Sequence, residues 1–358
     1  MPLPPLYGHD ELRARLAGTL AARKLPPALL LIGPAGVGKQ RLAHWIAAGL
    51  LCEGGPGAPC GRCQPCRLVD SLQHPDVHWF FPIPRPKGDE SQQVEEAEEL
   101  LGEAVAARRQ EPLYGRPDGL HGLFLPLVRL LHRQAMMRPV MGRAKVFIVG
   151  DADRLVPQAS SPEAANAMLK VLEEPPPDTH FVLTTTEPAS LLPTIRSRLV
   201  PLRLRRLGAA EVARFLREVP QQPLGAAEAE RRAEAAAGSI GDALEESGEG
   251  VEAAAAARKL LEAARRGAAA RYRYALGVKA YGARGDFSET LAAAAELLRD
   301  ELAQRLRGAG GESHPEVPAE RLLGAIRVLD RAQAWARGNV NPQLIVAHLG
   351  RALAEPEP

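Results

Sequence analysis

The chain has 358 residues, enough for two or three domains of about 100–200 residues each. Its hydrophobic fraction of 46% and charged fraction of 25% are ordinary for a globular protein. The formal charge of +2 is too small to indicate nucleic-acid binding, and 4% aromatic residues argue against a surface that stacks bases. No apolar run is long enough to span a membrane and no secretory signal begins the chain, so we expect a cytoplasmic protein without a membrane partner.

The first half of the chain predicts alternating strands and helices. Short apolar runs of the kind found in buried parallel strands lie at 28–32, 77–81, 146–149 and 181–185. An amphipathic helix from Arg41 to Leu51 follows the first run. A second helix lies between the last two runs, where Ser161 can cap it, Pro162 can occupy its first position and Pro175 ends it. We therefore expect an α/β domain with a parallel sheet and helices on both faces.

The second half of the chain is rich in Ala, Arg, Glu and Leu and predicts helices. Residues 211–244 should form a small helical unit, broken near Pro220–Pro223 and followed by a hinge at Gly248 and Gly250. Several antiparallel helices follow, the last of them starting at Asn341-Pro342.

A charged, Glu-rich segment interrupts the first half. It runs over 89–116, within a longer insertion at about 84–118, and predicts a surface excursion, partly helical, with no role as a functional tail. The domains expected are thus 1–206 with this insertion, 207–248, and 250–358.

A glycine-rich loop follows the first strand. Its sequence is Gly33-Pro34-Ala35-Gly36-Val37-Gly38-Lys39, the G-x4-G-K pattern between a strand and a helix. In such loops backbone N–H groups and the helix N-terminus hold phosphates, and the lysine reaches the terminal ones. A plain glycine turn would require neither the lysine nor both flanking elements, so the loop predicts a nucleotide-site ancestry.

The residues that would bind Mg²⁺ are altered. A phosphate loop needs Ser or Thr after its lysine, and here Gln40 has a longer side chain that would misplace its oxygen. The third strand is followed by Gly150 where a metal-binding carboxylate is expected; a register shifted by one residue would restore Asp151 as the ligand. Because the metal neutralises charge on the transferred phosphoryl group, we predict weak or absent ATP or ADP binding and negligible turnover.

The four cysteines lie in one short segment after the loop helix. Cys52, Cys60, Cys63 and Cys66 have the spacing C-x7-C-x2-C-x2-C, which can place four thiolates around a tetrahedral Zn²⁺. No open position would remain, so the zinc would be structural. Disulfides are disfavoured in the cytosol, and an iron–sulfur cluster would need a redox partner that nothing else indicates.

Two arginines follow the fourth strand. Arg196 and Arg198 either solvate a helix end, or one of them points out of the domain at a phosphate bound by a neighbouring subunit. An arginine supplied in this way stabilises the charge of the transition state. The residues alone favour neither interpretation.

These features together resemble the AAA+ clamp-loader subunits of bacterial DNA polymerase III. The similar segments are GPAGVGKQ at 33–40, the cysteine segment at 52–66, VFIVGDADRL at 146–155, NAMLKVLEEPPPDTHFVLTTTEPASLLPTIRSRL at 166–199 and NVNPQL at 339–344. NAMLKVLEEPP and TIRSR are specific for clamp loaders. The degenerate loop, Gly150 and NVNPQL are more similar to the delta-prime subunits than to the ATP-hydrolysing gamma/tau subunits.

The resemblance implies an AAA+ core with a zinc module, a helical lid over 207–248 and a helical collar over 250–358 that joins a hetero-pentamer with gamma/tau and delta subunits. It implies that Arg198 acts as an arginine finger in an adjacent gamma subunit, while the assembly loads a sliding clamp onto primed DNA. Leu199 replaces the usual cysteine of that motif, and Gly241 stands where active members carry a sensor arginine.

Two other functions are compatible with the residues. The chain could be an active gamma/tau-type ATPase if Gln40 and Asp151 served as metal ligands. It could also be an unrelated zinc-bearing adaptor with an ATPase-derived fold, which would not assemble with clamp-loader subunits.

Overall fold

Five parallel strands form the central sheet of the first of two units into which the chain divides, Met1–Leu244 and Glu245–Pro358. The computed structural model describes residues 2–55, 57–89, 92–113, 121–155, 163–219, 223–244, 249–279, 286–306, 318–337 and 340–354. The α/β class expected for the first part and the helical character of the rest are both confirmed.

The sheet has the strand order β2-β5-β6-β1-β7, with every pair parallel. Leu30 of β1 lies opposite Leu183 of the central β6. Every residue of β1 and β5 is buried, which requires cover on both faces. The strands described are β1 (Ala28–Ile32), β2 (Val77–Phe80), β3 (Ile83–Pro84), β4 (His121–Gly122), β5 (Lys145–Val149), β6 (Thr179–Thr185) and β7 (Val200–Arg203), with β3 and β4 forming a separate antiparallel pair.

The four predicted strands are present, and the sequence analysis missed β7. Among the described strands this edge strand pairs with β1 alone, and it is mostly exposed, so it needs no continuous apolar run. Pro201 lies within it, and a proline in a strand is tolerated at a sheet edge, where its missing N–H breaks no ladder.

Some helices of the first unit pack against the sheet, and others lie beyond its edge. The helix after the loop starts at Lys39 rather than Arg41, and Ser161 and Pro162 lie outside the described residues. The helices are α1 (Asp10–Ala21), α2 (Lys39–Leu51), α3 (Gln64–Asp70), α4 (Gln92–Gln110), α5 (Leu125–Ala135), α6 (Glu163–Glu173), α7 (Pro193–Arg196), α8 (Ala209–Glu218), α9 (Ala226–Ala235) and α10 (Ile240–Leu244).

The charged segment is more than a solvated excursion. Its helix α4 buries Ala97, Leu101 and Arg108, and Ala97 and Leu101 belong to the core that contains the sheet. The prediction from composition was wrong on this point, because three buried positions in a 19-residue helix leave the average composition strongly polar.

The second unit consists of helices packed around its own apolar core. Gly250 lies inside a helix, so the predicted hinge is wrong for that residue, and Gly248 lies outside the described residues. The last helix starts at Pro342, as predicted. No helix in the described ranges combines the length and apolar character needed to cross a membrane. The helices are α11 (Glu249–Arg265), α12 (Ala268–Gly277), α13 (Asp286–Leu306), α14 (Ala319–Arg337) and α15 (Pro342–Ala354).

The buried His44 of α2 should make the first unit sensitive to acid. Burial, with Arg41 and Arg108 nearby, lowers the pKa of His44 to about 3. The unfolded chain binds this proton near pH 6.5, so stability is complete above that pH and falls as the pH drops towards 3, by up to about 1.4 kcal/mol per pH unit. Urea unfolding between pH 7 and pH 5 should show a smaller loss in His44→Leu than in the wild type; parallel profiles would contradict the assignment.

Candidate functional site

The phosphate loop lies at the carboxyl edge of the sheet, between β1 and α2. Gly36 and Gly38 have φ angles of 69° and 89°, which glycine adopts without strain. Lys39 is buried, and its Nζ donates to the carbonyl oxygens of Gly33 at 2.9 Å and Pro34 at 2.6 Å. The loop residues predicted from the sequence are thus assembled, with the lysine bonded to the loop itself.

The amide of Gln40 occupies the space beside Gly150. A Cβ built on Gly150 would lie 2.7 Å from Gln40 Nε2, well inside contact distance. Gln40 Nε2 donates to Asp151 Oδ2 at 3.4 Å, and Gln40 Oε1 accepts a hydrogen bond from the indole Nε1 of Trp79 at 3.0 Å. Of the two positions that should carry metal ligands, one therefore has the uncharged amide of Gln40, and the other, Gly150, has no side chain.

Asp151, the alternative metal ligand, follows Gly150 directly after β5. Its backbone has a φ of 50°, and its N–H donates to Thr184 Oγ1 at 3.1 Å. Burial and the neighbouring Asp153 raise the pKa of the Asp151 carboxyl, and the opposing effects of Lys39 and two arginines do not reverse the shift. In the absence of a cation, burial therefore disfavours the charged form of this carboxyl.

The start of α10 lies directly on the phosphate loop. The N–H groups of Ile240 and Gly241 donate to the carbonyl of Gly36 at 3.0 and 3.3 Å. A Cβ on Gly241 would lie 2.9 Å from Gly36 Cα, and one on Gly36 would lie 2.0 Å from Ser239 Oγ. Gly241 stands where active members are expected to carry a sensor arginine, and the nearby Gly36 backbone leaves no room for a side chain there.

Arg198 lies at an exposed turn after α7. Its guanidinium donates to Glu173 Oε1 at 2.5 Å and to the Thr194 carbonyl at 2.7 Å. The side chains of Arg198 and Glu173 are 33% and 47% exposed, so their ion pair is in contact with solvent. Arg196 is also exposed. Arg198 and its partners belong to elements other than the phosphate loop.

The four cysteine sulfurs lie within 4.8 Å of one another. The Sγ atoms of Cys52 and Cys63 are 3.9 Å apart, and tetrahedral Zn–S bonds would place sulfurs about 3.8 Å apart. Backbone N–H groups of Gly54 and Cys60 donate to Cys52 Sγ at 3.3 and 3.4 Å.

The thiols differ in how readily they ionise. Backbone N–H groups of Arg62 and Cys63 lower the pKa of Cys60 to about 6, whereas burial raises the pKa of Cys52 and Cys66. Four converging sulfurs with N–H support fit a Zn²⁺ ion, whose charge would favour the thiolate form of each ligand.

The structure also places three residues at the site that the sequence analysis did not select. Trp79 holds Gln40, Ser239 contacts the loop, and Arg108 of α4 lies over the aromatic rings of Trp79 and Phe81. Trp79 was assigned only to a strand, and Arg108 belonged to the segment interpreted as solvated. No spacing signal links these residues to the loop.

Comparison with known proteins places these features in a family. A family model described as "DNA polymerase III, delta subunit" matches residues 8–208. The DNA polymerase III subunit delta' of Pseudomonas aeruginosa is 32% identical over 203 residues, 56% of this chain and 50% of the relative. Subunit tau/gamma of Haemophilus influenzae is 30% identical over 243 residues, 67% of this chain and 29% of the relative. The chain thus spans half or less of these relatives.

Among solved structures, a DNA polymerase III gamma subunit-related protein from Thermotoga maritima is similar over 97% of this chain and 98% of its own length. The sequence identity is 15% and the TM-score is 0.38.

The cysteine cluster should contain about one zinc per chain. Elemental analysis of the purified protein measures this directly, and Cys60→Ser should lower both the zinc content and the melting temperature, because a lost thiolate weakens a structural site. Glu53→Gln, a change at an exposed position of the same segment, should leave both unchanged. Iron, or no metal, in the wild type would contradict the assignment.

Proposed function

Because the chain belongs to the clamp-loader AAA+ family of DNA polymerase III subunits, we propose that it is a delta-prime-type subunit that does not hydrolyse ATP itself. It assembles in the cytoplasm with gamma/tau and delta subunits in a hetero-pentamer. Through that complex it acts on the sliding clamp and on primed DNA during replication, with the lid over 207–248 and the collar over 250–358.

The Gln40 amide in the metal position is the observation that carries this proposal. ATP hydrolysis in a phosphate-loop site needs a metal to neutralise charge that develops on the transferred phosphoryl group. Here the amide lies beside Gly150 and bonds to Trp79 and Asp151. An amide carries no charge, so Asp151 alone would be left as a single carboxylate ligand. ATP or ADP binding is therefore weak or absent.

Arg198 acts as an arginine finger in the nucleotide site of an adjacent gamma subunit. Its guanidinium lies on an exposed turn, bonded to Glu173. An exposed ion pair contributes only about 0–1 kcal/mol, so Arg198 can exchange this carboxylate for the phosphate oxygens of a neighbour at small cost. Its planar fork of N–H donors suits phosphate, and in the transition state it stabilises charge on the transferred group.

The rival function is an active gamma/tau-type ATPase. Its support is the similarity to tau/gamma of Haemophilus influenzae, which covers more of this chain than the similarity to delta' of Pseudomonas aeruginosa does. That function requires Gln40 and Asp151 to hold Mg²⁺, whereas the Gln40 oxygen accepts a hydrogen bond from Trp79. We therefore prefer the non-hydrolysing role.

Steady-state ATP hydrolysis distinguishes the two functions. The purified full chain should show no turnover above that of Lys39→Ala, because neither protein holds a catalytic metal. Turnover in the wild type that disappears in Lys39→Ala would establish an active motor and end the delta-prime assignment.

The trans role of Arg198 is tested in the reconstituted complex. Arg198→Ala should leave assembly unchanged and lower the DNA-stimulated ATPase activity severalfold, because one of several hydrolysing sites loses its finger. Arg196→Ala removes a neighbouring exposed guanidinium and should leave the activity near that of the wild type. Equal activities for the two variants would remove the trans role.

A further inference from the structure

The Gln40 amide is the end of a flexible side chain, so something must hold it in place. A Cβ at Gly150 would lie 2.7 Å from the Gln40 amide. Without a restraint, the amide would swing aside for any group introduced at that position. Its interaction with Asp151 is long, at 3.4 Å, whereas the hydrogen bond from the Trp79 indole is 3.0 Å. The hold on Gln40 therefore depends chiefly on the position of Trp79.

Aromatic and cationic groups surround the Trp79 indole. The His44 ring packs edge-on at 4.7 Å between centroids, and the Phe81 ring at 5.0 Å. The Arg108 guanidinium lies 4.4 Å from the Trp79 centroid and 3.2 Å from that of Phe81. Arg108 therefore lies over both rings, in the geometry of a cation–π interaction.

Arg108 reaches this position because the charged segment is anchored to the core. Its helix α4 buries Ala97 and Leu101, and Arg108 itself is 7% exposed. The next residue, Arg109, donates two hydrogen bonds to the Leu72 carbonyl, at 2.6 and 3.0 Å. Burying a guanidinium costs free energy, and contact with two aromatic faces offsets part of that cost.

We propose that the charged segment keeps the metal position closed, because Arg108 of α4 fixes the Trp79 indole that holds the Gln40 amide beside Gly150. Arg108 is thus a positioning residue that acts through Trp79 and contacts no nucleotide. The inference rests on the proposed non-hydrolysing function and assigns the charged segment a role in that function.

The test uses Gly150→Asp as a reporter in the full chain, with Mn²⁺ as the probe. The new carboxylate beside Asp151 can complete a two-carboxylate metal site only if the Gln40 amide moves away. We expect weak Mn²⁺ binding by electron paramagnetic resonance in Gly150→Asp alone. Adding Arg108→Met, or separately Trp79→Phe, should tighten Mn²⁺ binding at least ten-fold, because Gln40 loses its restraint. Adding Arg154→Met, which removes an exposed guanidinium whose charge acts on Asp151 as that of Arg108 does, should give no comparable gain.

Three outcomes would overturn the proposal. These are tight Mn²⁺ binding in Gly150→Asp alone, equal gains with Arg108→Met and Arg154→Met, and no gain with Trp79→Phe. Circular dichroism and melting curves establish that each variant is folded, and Trp79→Phe gives the answer if Arg108→Met does not fold. Failure of the non-hydrolysing function would appear differently, as Mg²⁺-dependent ATP turnover by the unmodified chain.

Discussion

The hydrogen bond from the Trp79 indole to the Gln40 amide is the interaction on which the character of this nucleotide-type site depends. A working site uses a hydroxyl and a carboxylate to place a doubly charged ion against the phosphates. Here an uncharged amide is held in that space by an indole N–H, and the facing residue is Gly150. The two departures are therefore one arrangement: the glycine makes room for the amide, and the amide leaves no room for a carboxylate.

The loop is also constrained from its other side. Gly36 and Gly241 meet through their backbones, and two N–H groups at the start of α10 bond to the Gly36 carbonyl. On the N-terminal side, His9 Nε2 lies 2.8 Å from the Val37 carbonyl. Contacts of this kind make the loop a packing element that joins the sheet, the N-terminal segment and the α8–α10 helices.

Sequence patterns predicted the buried parts of the fold and the short-range groups of the site, because their signals are local. Apolar runs identified four strands, and the four cysteines stand within 15 positions of the chain. Long-range partners left no local signal. Nothing in the spacing pairs Trp79 with Gln40, 39 positions away, or brings Arg108 to Trp79. Strand β7 was missed for a different reason, since a mostly exposed edge strand needs no apolar run.

The phosphate loop is also part of the packing of the fold. Lys39 donates to the carbonyls of Gly33 and Pro34, which closes the loop on itself, and Val37 is buried in the core beside it. Replacing Lys39 would remove the hydrogen-bond donor of these buried carbonyl oxygens. Each unpaired oxygen would lower the stability by about 1–3 kcal/mol. The G-x4-G-K pattern therefore persists here on structural grounds, and its presence in a sequence is not by itself a sign of ATP turnover. The residues beside the loop are Gln40, Gly150 and Asp151, and Gln40 is hydrogen-bonded to Trp79, over which Arg108 of α4 lies.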